Sequence, residues 1–325
     1  MTRTRLGRRH GLAALQAAVS LVALGAVIWW ATRQEAPTFP RTGEAAAALV
    51  AALTIYTAAT LARGERWHRI LARGGFAAGR GDAYRLTVVG YMGNNVLPAR
   101  SGDLLRAFLL APQTGRRKRE VLGTVVAERL LDAGALAVVF CAVVLGLLSE
   151  AEIPGGRTAL LAAGGVVLLA ALGFAAVVVI RRAGAFERVR AALRPFAAPS
   201  RALASAHGAG LLVLSLVIWA LEAAVYMAVG RAAGIELTPV EALYVVALTN
   251  LFALVPAAPG YVGTFDAAVL FAVGSLGERG SDALAYLVLL RFVLFVPITV
   301  VGLAFLVARY GGWSRLRAAR LETSP

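Results

Sequence analysis

Long apolar runs separated by short polar linkers organise this chain, at about 11–30, 44–62, 83–111, 121–148, 158–180, 209–230, 240–276 and 283–308. An uninterrupted run of about 19 residues, rising about 1.5 Å each, reaches or nearly reaches across a 30 Å hydrocarbon core. Six of the runs therefore predict full membrane spans. The other two, 83–111 and 240–276, are broken by the same pattern, Pro-Ala-x-x-Gly, within NNVLPARSGDLLRA (94–107) and VPAAPGYVGTFDAA (255–268). Pro98 and Pro256 lie 158 residues apart, close to half the chain. Paired Pro/Gly-interrupted hydrophobic segments at matching positions of two halves point to broken helices around a site near the membrane midplane.

Composition agrees, since 59% of the residues are hydrophobic and a soluble reading is untenable. The net charge of +15 is almost all arginine, Lys118 being the only lysine, and it is concentrated between the apolar runs. That distribution reports topology and predicts no nucleic-acid partner. The first run follows Arg8-Arg9 and could be mistaken for a secretory or twin-arginine signal. It is longer than a signal core and ends in Trp29-Trp30, so it reads as a retained anchor.

The N-terminus, 63–80, 116–119, 181–201 and 309–320 together hold 23 basic residues, against five in the linkers 31–43, 149–157, 231–239 and 277–282. The positive-inside rule then predicts cytoplasmic N- and C-termini. It also gives both flanks of 83–111 the cytoplasmic side and both flanks of 240–276 the outer side. The expectation is an all-α polytopic membrane protein: six full spans plus two oppositely oriented re-entrant helical hairpins in an inverted repeat. A single integral membrane domain, 1–325, would contain pseudo-repeats 11–148 and 158–308. The alternative, each hairpin as two thin complete spans, gives up to ten crossings with the same parity.

Nine ionisable residues fall at membrane depth: Arg100, Asp103, Arg106, Glu128, Arg129, Asp132, Glu222, Asp266 and Arg291. Each costs about 2.5–3.5 kcal/mol at a helix centre, so they must be paired, hydrated or both. Helical spacing puts Glu128 and Asp132 on one face and lets Arg129 pair with Asp132. Glu128 is left for Arg100 or Arg106, and Asp266 for Arg291. Glu222, among apolar neighbours, reads as a latch or helix contact.

At the breaks, Pro98 removes a backbone donor, Asn94 and Asn95 can satisfy freed backbone groups, and Ser101 can cap a half-helix starting at Gly102. Pro259, Gly260 and Gly263 permit the same turn in the second half, with Thr264 as the cap. A half-helix N-terminus beside Arg100 and Arg106 could hold a phosphate, or the same charges could simply latch hairpin to span.

Elsewhere the chain offers little chemistry. His10, His68 and His207 have no metal-ligand spacing, Cys141 stands alone as a packing residue, and no GxxxxGK[ST] run exists. No metal, cofactor or catalytic residue is expected. WHRILARGGF (67–76) and AFERVRAALRPF (185–196) read as interfacial helices whose arginines touch anionic headgroups.

GNNVLPARSGDLLRAFLL (93–110), ERLLD (128–132), PGYVGTFDAA (259–268) and the arginine of LLRFVLFVP (289–297) resemble the membrane region of lysylphosphatidylglycerol synthases and the related stand-alone flippase-like membrane proteins. The resemblance covers nearly the whole chain. It departs from the family pattern at Tyr261, where a second glycine is usual, and at Asp266 and Asp103, where glutamates are common. It implies translocation of a lipid, since in full-length members this region moves an aminoacylated phospholipid made by a soluble C-terminal domain. With only 17 residues beyond the last run, no such domain and no synthase activity are expected. The leading expectation is a flippase-like translocase of a phospholipid or polyprenyl-linked headgroup in the cell membrane, its partners lipids with anionic or phosphate-bearing headgroups. The alternatives are a non-catalytic accessory or scaffold for a separate lipid-modifying or glycosyltransferase enzyme, and an enzyme acting on a lipid phosphate, for which no nucleophile is identifiable.

Overall fold

The structure is a computed structural model that describes residues 24–25, 27–29, 31–34, 36–37, 39, 41–97, 101–149, 206–252 and 259–311. Among these every regular element is helical. They are α1 (Gly43–Arg73), α2 (Arg80–Val96), α3 (Gly102–Thr114), α4 (Lys118–Ser149), α5 (Ala206–Ala233), α6 (Pro239–Phe252), a 3₁₀ turn (Pro259–Tyr261), α7 (Thr264–Ser275) and α8 (Ser281–Tyr310). Most of the run expected at 11–30, the span expected at 158–180, the segment 185–196, and Pro98 and Arg100 lie outside the described residues.

Three described helices, α1, α5 from Gly208 and α8, are long and apolar enough to cross a membrane. Their boundaries have local causes. Thr42 Oγ1 accepts from Ala45 N–H at 3.1 Å to cap α1, Glu44 sits in its first turn and Arg73 in its last, each with the sign the helix dipole favours. Gly311, with φ of 73°, ends α8 in the left-handed conformation.

Each interrupted run is a pair of short helices. α2 and α3 have 17 and 13 residues, α6 and α7 have 14 and 12. The α2–α3 pair folds back on itself through glycine: a β-carbon on Gly93 would lie 2.7 Å from Gly102 Cα, and one on Gly102 would overlap the Gly90 carbonyl. Gly90 in turn lies under the Arg106 side chain. Only residues without side chains let the backbones meet so closely. In the other pair Tyr244 Oη and Ser275 Oγ share a hydrogen bond of 3.0 Å.

α1 packs most extensively against α5, at the centre of the bundle. Around them the contacts come in matching sets: α1 on α2 and α5 on α6, α3 on α4 and α7 on α8, α2 on α8 and α6 on α4. The main apolar core gathers Tyr226, Val245, Val269, Tyr286 and Leu290 from α5 to α8. A smaller one joins Trp67, Leu71, Leu86 and Leu110 at the α1–α2–α3 end. Residues 67–73 are thus no separate helix: they continue α1 and bury Trp67 and Leu71 completely, while Arg69 and Arg73 stay exposed.

Candidate functional site

The first charged network is built where α3 begins behind its break. Asp103 and Arg106 are one turn apart on α3 and lie 3.0 Å from each other. Arg106 also reaches Glu128 of α4 at 2.9 Å, and its guanidinium lies 4.7 Å from the centre of the Trp67 ring. Trp67 is fixed in turn by donating to Thr124 Oγ1 at 3.0 Å. Glu128 and Asp132 share a face of α4, and both face Arg66 of α1, at 3.5 and 2.7 Å. Arg66 donates as well to Ser215 Oγ of α5 at 2.8 Å.

Arg129 closes the network from α4. Its Nε and Nη2 donate to the two oxygens of Asp103 at 3.2 and 3.1 Å, while Nη1 reaches Asp132 at 3.2 Å. Three guanidiniums and three carboxylates thereby balance one another in charge. Arg66, Arg106 and Glu128 are buried, whereas 36% of the Arg129 side chain is exposed. Arg106 Nε and Nη1 and Arg66 Nε are buried with no hydrogen-bond acceptor among the described residues.

The second site repeats this fork behind the second break. Arg291 of α8 donates through Nε and Nη2 to the two oxygens of Asp266, the latter at 2.9 Å. It donates also to the Gly260 and Tyr261 carbonyls of the turn, at 3.2 and 3.4 Å. Asp266 Oδ2 accepts the Gly263 N–H at 2.8 Å, and the Arg291 guanidinium stands about 5 Å from the rings of Phe265 and Phe295. Asp103 to Asp266 is 163 residues and Arg129 to Arg291 is 162, so the forks recur at nearly the same offset in the two halves. The 3₁₀ turn also packs on α2, where the Asn95 carbonyl approaches Gly260. Asn95 donates to Thr299 Oγ1 of α8 at 2.9 Å.

The structure joins Arg129 to Asp132, the pair that helical spacing suggests, Glu128 to Arg106, one of its two expected partners, and Asp266 to Arg291, expected from the inverted repeat. It adds the Asp103–Arg129 fork, which spacing within one helix could not reveal. It corrects both caps: Asn94 Oδ1, not Ser101, accepts the Gly102 N–H, at 3.0 Å, and Thr264 is the first residue of α7 rather than its cap. The N-terminal donors that spacing offers to a phosphate are in part already occupied. Pro98 and Arg100 stay outside the described residues.

Two residues were missed altogether. Arg63 and Arg66 count as linker arginines in the sequence, yet α1 carries both into the bundle, where Arg63 pairs with Glu222 of α5 at 2.6 Å. Without them the positive-inside tally is 21 against five, which leaves its sign unchanged. Their signal was the unbroken helical register from Leu61 through Trp67, with Arg63 and Arg66 one turn apart. Arg63, Arg66, Arg106, Arg129 and Arg291 then match Asp103, Glu128, Asp132, Glu222 and Asp266 one for one.

Residues 14–302 match the family model described as "Lysylphosphatidylglycerol synthase TM region". The chain is similar to a glycosyltransferase, AglD, of Haloferax volcanii, 26% identical over 302 residues and covering 80% of this chain and 48% of that one. It thus spans about half the length of that relative. It is also similar to a UPF0104 membrane protein of Methanothermobacter thermautotrophicus, 22% identical over 265 residues, with 74% of this chain and 78% of that one covered.

Proposed function

The chain belongs to the lysylphosphatidylglycerol synthase transmembrane-region family, and from that premise we propose that it is a flippase-like translocase that moves a phosphate-bearing lipid headgroup across the cell membrane. The repeated Asp–Arg fork carries this reading. An arginine grips a carboxylate and a phosphate through the same two-pronged geometry. A headgroup can therefore exchange for Asp103 on Arg129, or for Asp266 on Arg291, without leaving the guanidinium unpaired. Arg129 is also the most accessible arginine of its network, its side chain 36% exposed, and Arg291 is 26% exposed.

The geometry around the forks supports an inverted repeat with re-entrant hairpins. At about 1.5 Å per residue the four short helices extend roughly 18–26 Å, less than a 30 Å core, and each antiparallel pair can enter and leave by one face. The packing partners recur half by half, and the charge rule assigns the pairs to opposite faces with both termini cytoplasmic. Membrane lipids are the partners in this reading. The protein is not itself an enzyme, and the acyl chains stay in the bilayer while the polar head follows the charged interior.

Leaflet exchange tests it. Purified protein in liposomes with headgroup-labelled phospholipids should speed exchange over empty liposomes, and Arg129→Ala/Arg291→Ala should slow it at least about tenfold, the kinetic equivalent of about 1.4 kcal/mol. If wild type and variant both match empty liposomes across a panel that includes native lipid extract, translocation is wrong.

A second reading is favoured by the Haloferax relative, a named glycosyltransferase about twice as long as the matched region. In it the chain is a non-catalytic scaffold for a separate lipid-modifying or glycosyltransferase enzyme. Stable co-purification with such an enzyme, together with no exchange activity, would select it.

A further inference from the structure

Where α1 ends and α2 begins, an open pocket of about 540 Å³ lies outside the charged network, lined by Glu65, His68, Arg69, Ala72, Arg73 and Arg80. Its size is that of a small-molecule site. The cations of α1 have different surroundings: Arg66 reaches Glu128 and Asp132, whereas Arg69 and Arg73 line the pocket. Glu65, the one carboxylate of the lining, is already shared. It lies 2.9 Å from Arg69 Nε and 3.5 Å from Arg80, and accepts the Tyr84 hydroxyl at 2.9 Å. It holds two guanidiniums at the rim rather than neutralising the site. Among the described residues no carboxylate pairs with Arg73, and the buried His68 Nδ1 has no hydrogen-bond partner.

Helix electrostatics explains part of this and not the rest. Arg69 and Arg73 lie in the last turns of α1, where a cation is stabilised by the helix dipole whether or not a ligand binds. Arg80 is the first residue of α2, where the dipole disfavours a cation, and the N-cap Gly79 supplies no side-chain acceptor for the first N–H groups. A cation at a helix N-terminus uncapped by a side chain, facing two more guanidiniums across a pocket, suits an anion that satisfies all of them. Basic pockets between helices on the arginine-rich side of a membrane protein suit phosphorylated lipid headgroups. Arg116 donates to Gly75 O at 3.0 Å, bringing the basic run 116–119 to the same end of the bundle.

We propose that this corner is a binding site for a phosphate-bearing anion, seated between Arg69, Arg73 and Arg80 and separate from the two forks. A terminal phosphate of a membrane lipid and free phosphate or diphosphate share the required chemistry. The proposal goes beyond translocation, and its test reads binding alone, so either can fail without the other.

The full chain in neutral detergent is titrated by native mass spectrometry with dioleoyl phosphatidic acid, with phosphatidylcholine and, separately, with inorganic pyrophosphate. Phosphatidic acid should bind wild type about tenfold or more tighter than Arg73→Gln/Arg80→Gln, while phosphatidylcholine does not distinguish them. Arg73→Gln alone leaves the Glu65 pairs intact and should weaken binding several-fold, which keeps the test readable if the double variant is unstable. Pyrophosphate binding with the same dependence on Arg73 and Arg80 assigns the free anion as a ligand; phosphatidic acid binding without it assigns the lipid. Equal binding of phosphatidic acid to wild type and variants, or binding of neither anion, overturns the proposal.

Discussion

Arg106 is shared by Asp103 and Glu128 and stacked on Trp67, so its removal leaves a buried Glu128 facing only Arg66. Breaking a buried ion pair by deleting one partner costs about 3–5 kcal/mol. Arg106→Ala should lower the melting temperature in detergent far more than Arg69→Ala, whose side chain is half exposed. Tyr261 gives a finer test. It has φ of 54°, a left-handed conformation, at the position where the family pattern has glycine, next to Gly260 with φ of 66°. A side chain there costs about 1–2 kcal/mol. Alanine and glycine both remove the phenol ring, but only glycine removes the strain, so Tyr261→Gly should be more stable than Tyr261→Ala by about 1 kcal/mol. Equal melting temperatures for the two would show that the turn relaxes. The residue types at both sites were legible in the sequence, since charges inside apolar runs are costly and must serve a purpose. The partner of Arg129 was not, because Asp103 lies on another helix and the local Asp132 competes for the same guanidinium.

At the scale of elements, the two breaks were legible because proline and glycine act on the backbone itself, wherever the chain goes. Their consequences depend on packing. α3 is held to α2 by glycine contacts and by Asn94 capping its first N–H, so Gly102→Ala, whose β-carbon would overlap Gly90 O, should separate the pair. Loss of a folded monodisperse peak in detergent, or rapid proteolysis near 97–102, would report it. Gly274 of α7 has nothing within 4 Å of such a carbon, and Gly274→Ala should be neutral or stabilising by up to about 1 kcal/mol. Equal behaviour of the two variants would mean that close packing of α2 and α3 is not what holds the break. The extension of α1 to Arg73 was missed for a related reason: arginines after an apolar run look like a membrane-surface linker until something buries them.

For the whole molecule, the charge rule predicts one orientation, which labelling can read. With Cys141 replaced by alanine, membrane-impermeant maleimide should label Glu236→Cys and Glu278→Cys in intact cells, and Arg117→Cys only after permeabilisation. The reverse pattern would invert the topology, and labelling of all three in intact cells would refute the assigned faces. Helical class, membrane residence, the family and the places of the two breaks were determined by sequence alone, because hydropathy, proline and glycine act through solvent and local backbone and need no knowledge of the fold. Which charges meet was decided only by tertiary structure. Arg63 found Glu222, Arg66 found Asp132 and Arg129 found Asp103 across 159, 66 and 26 residues. An ion pair is set by distance in space, and in a helical bundle that distance depends on how helices remote in the chain are packed.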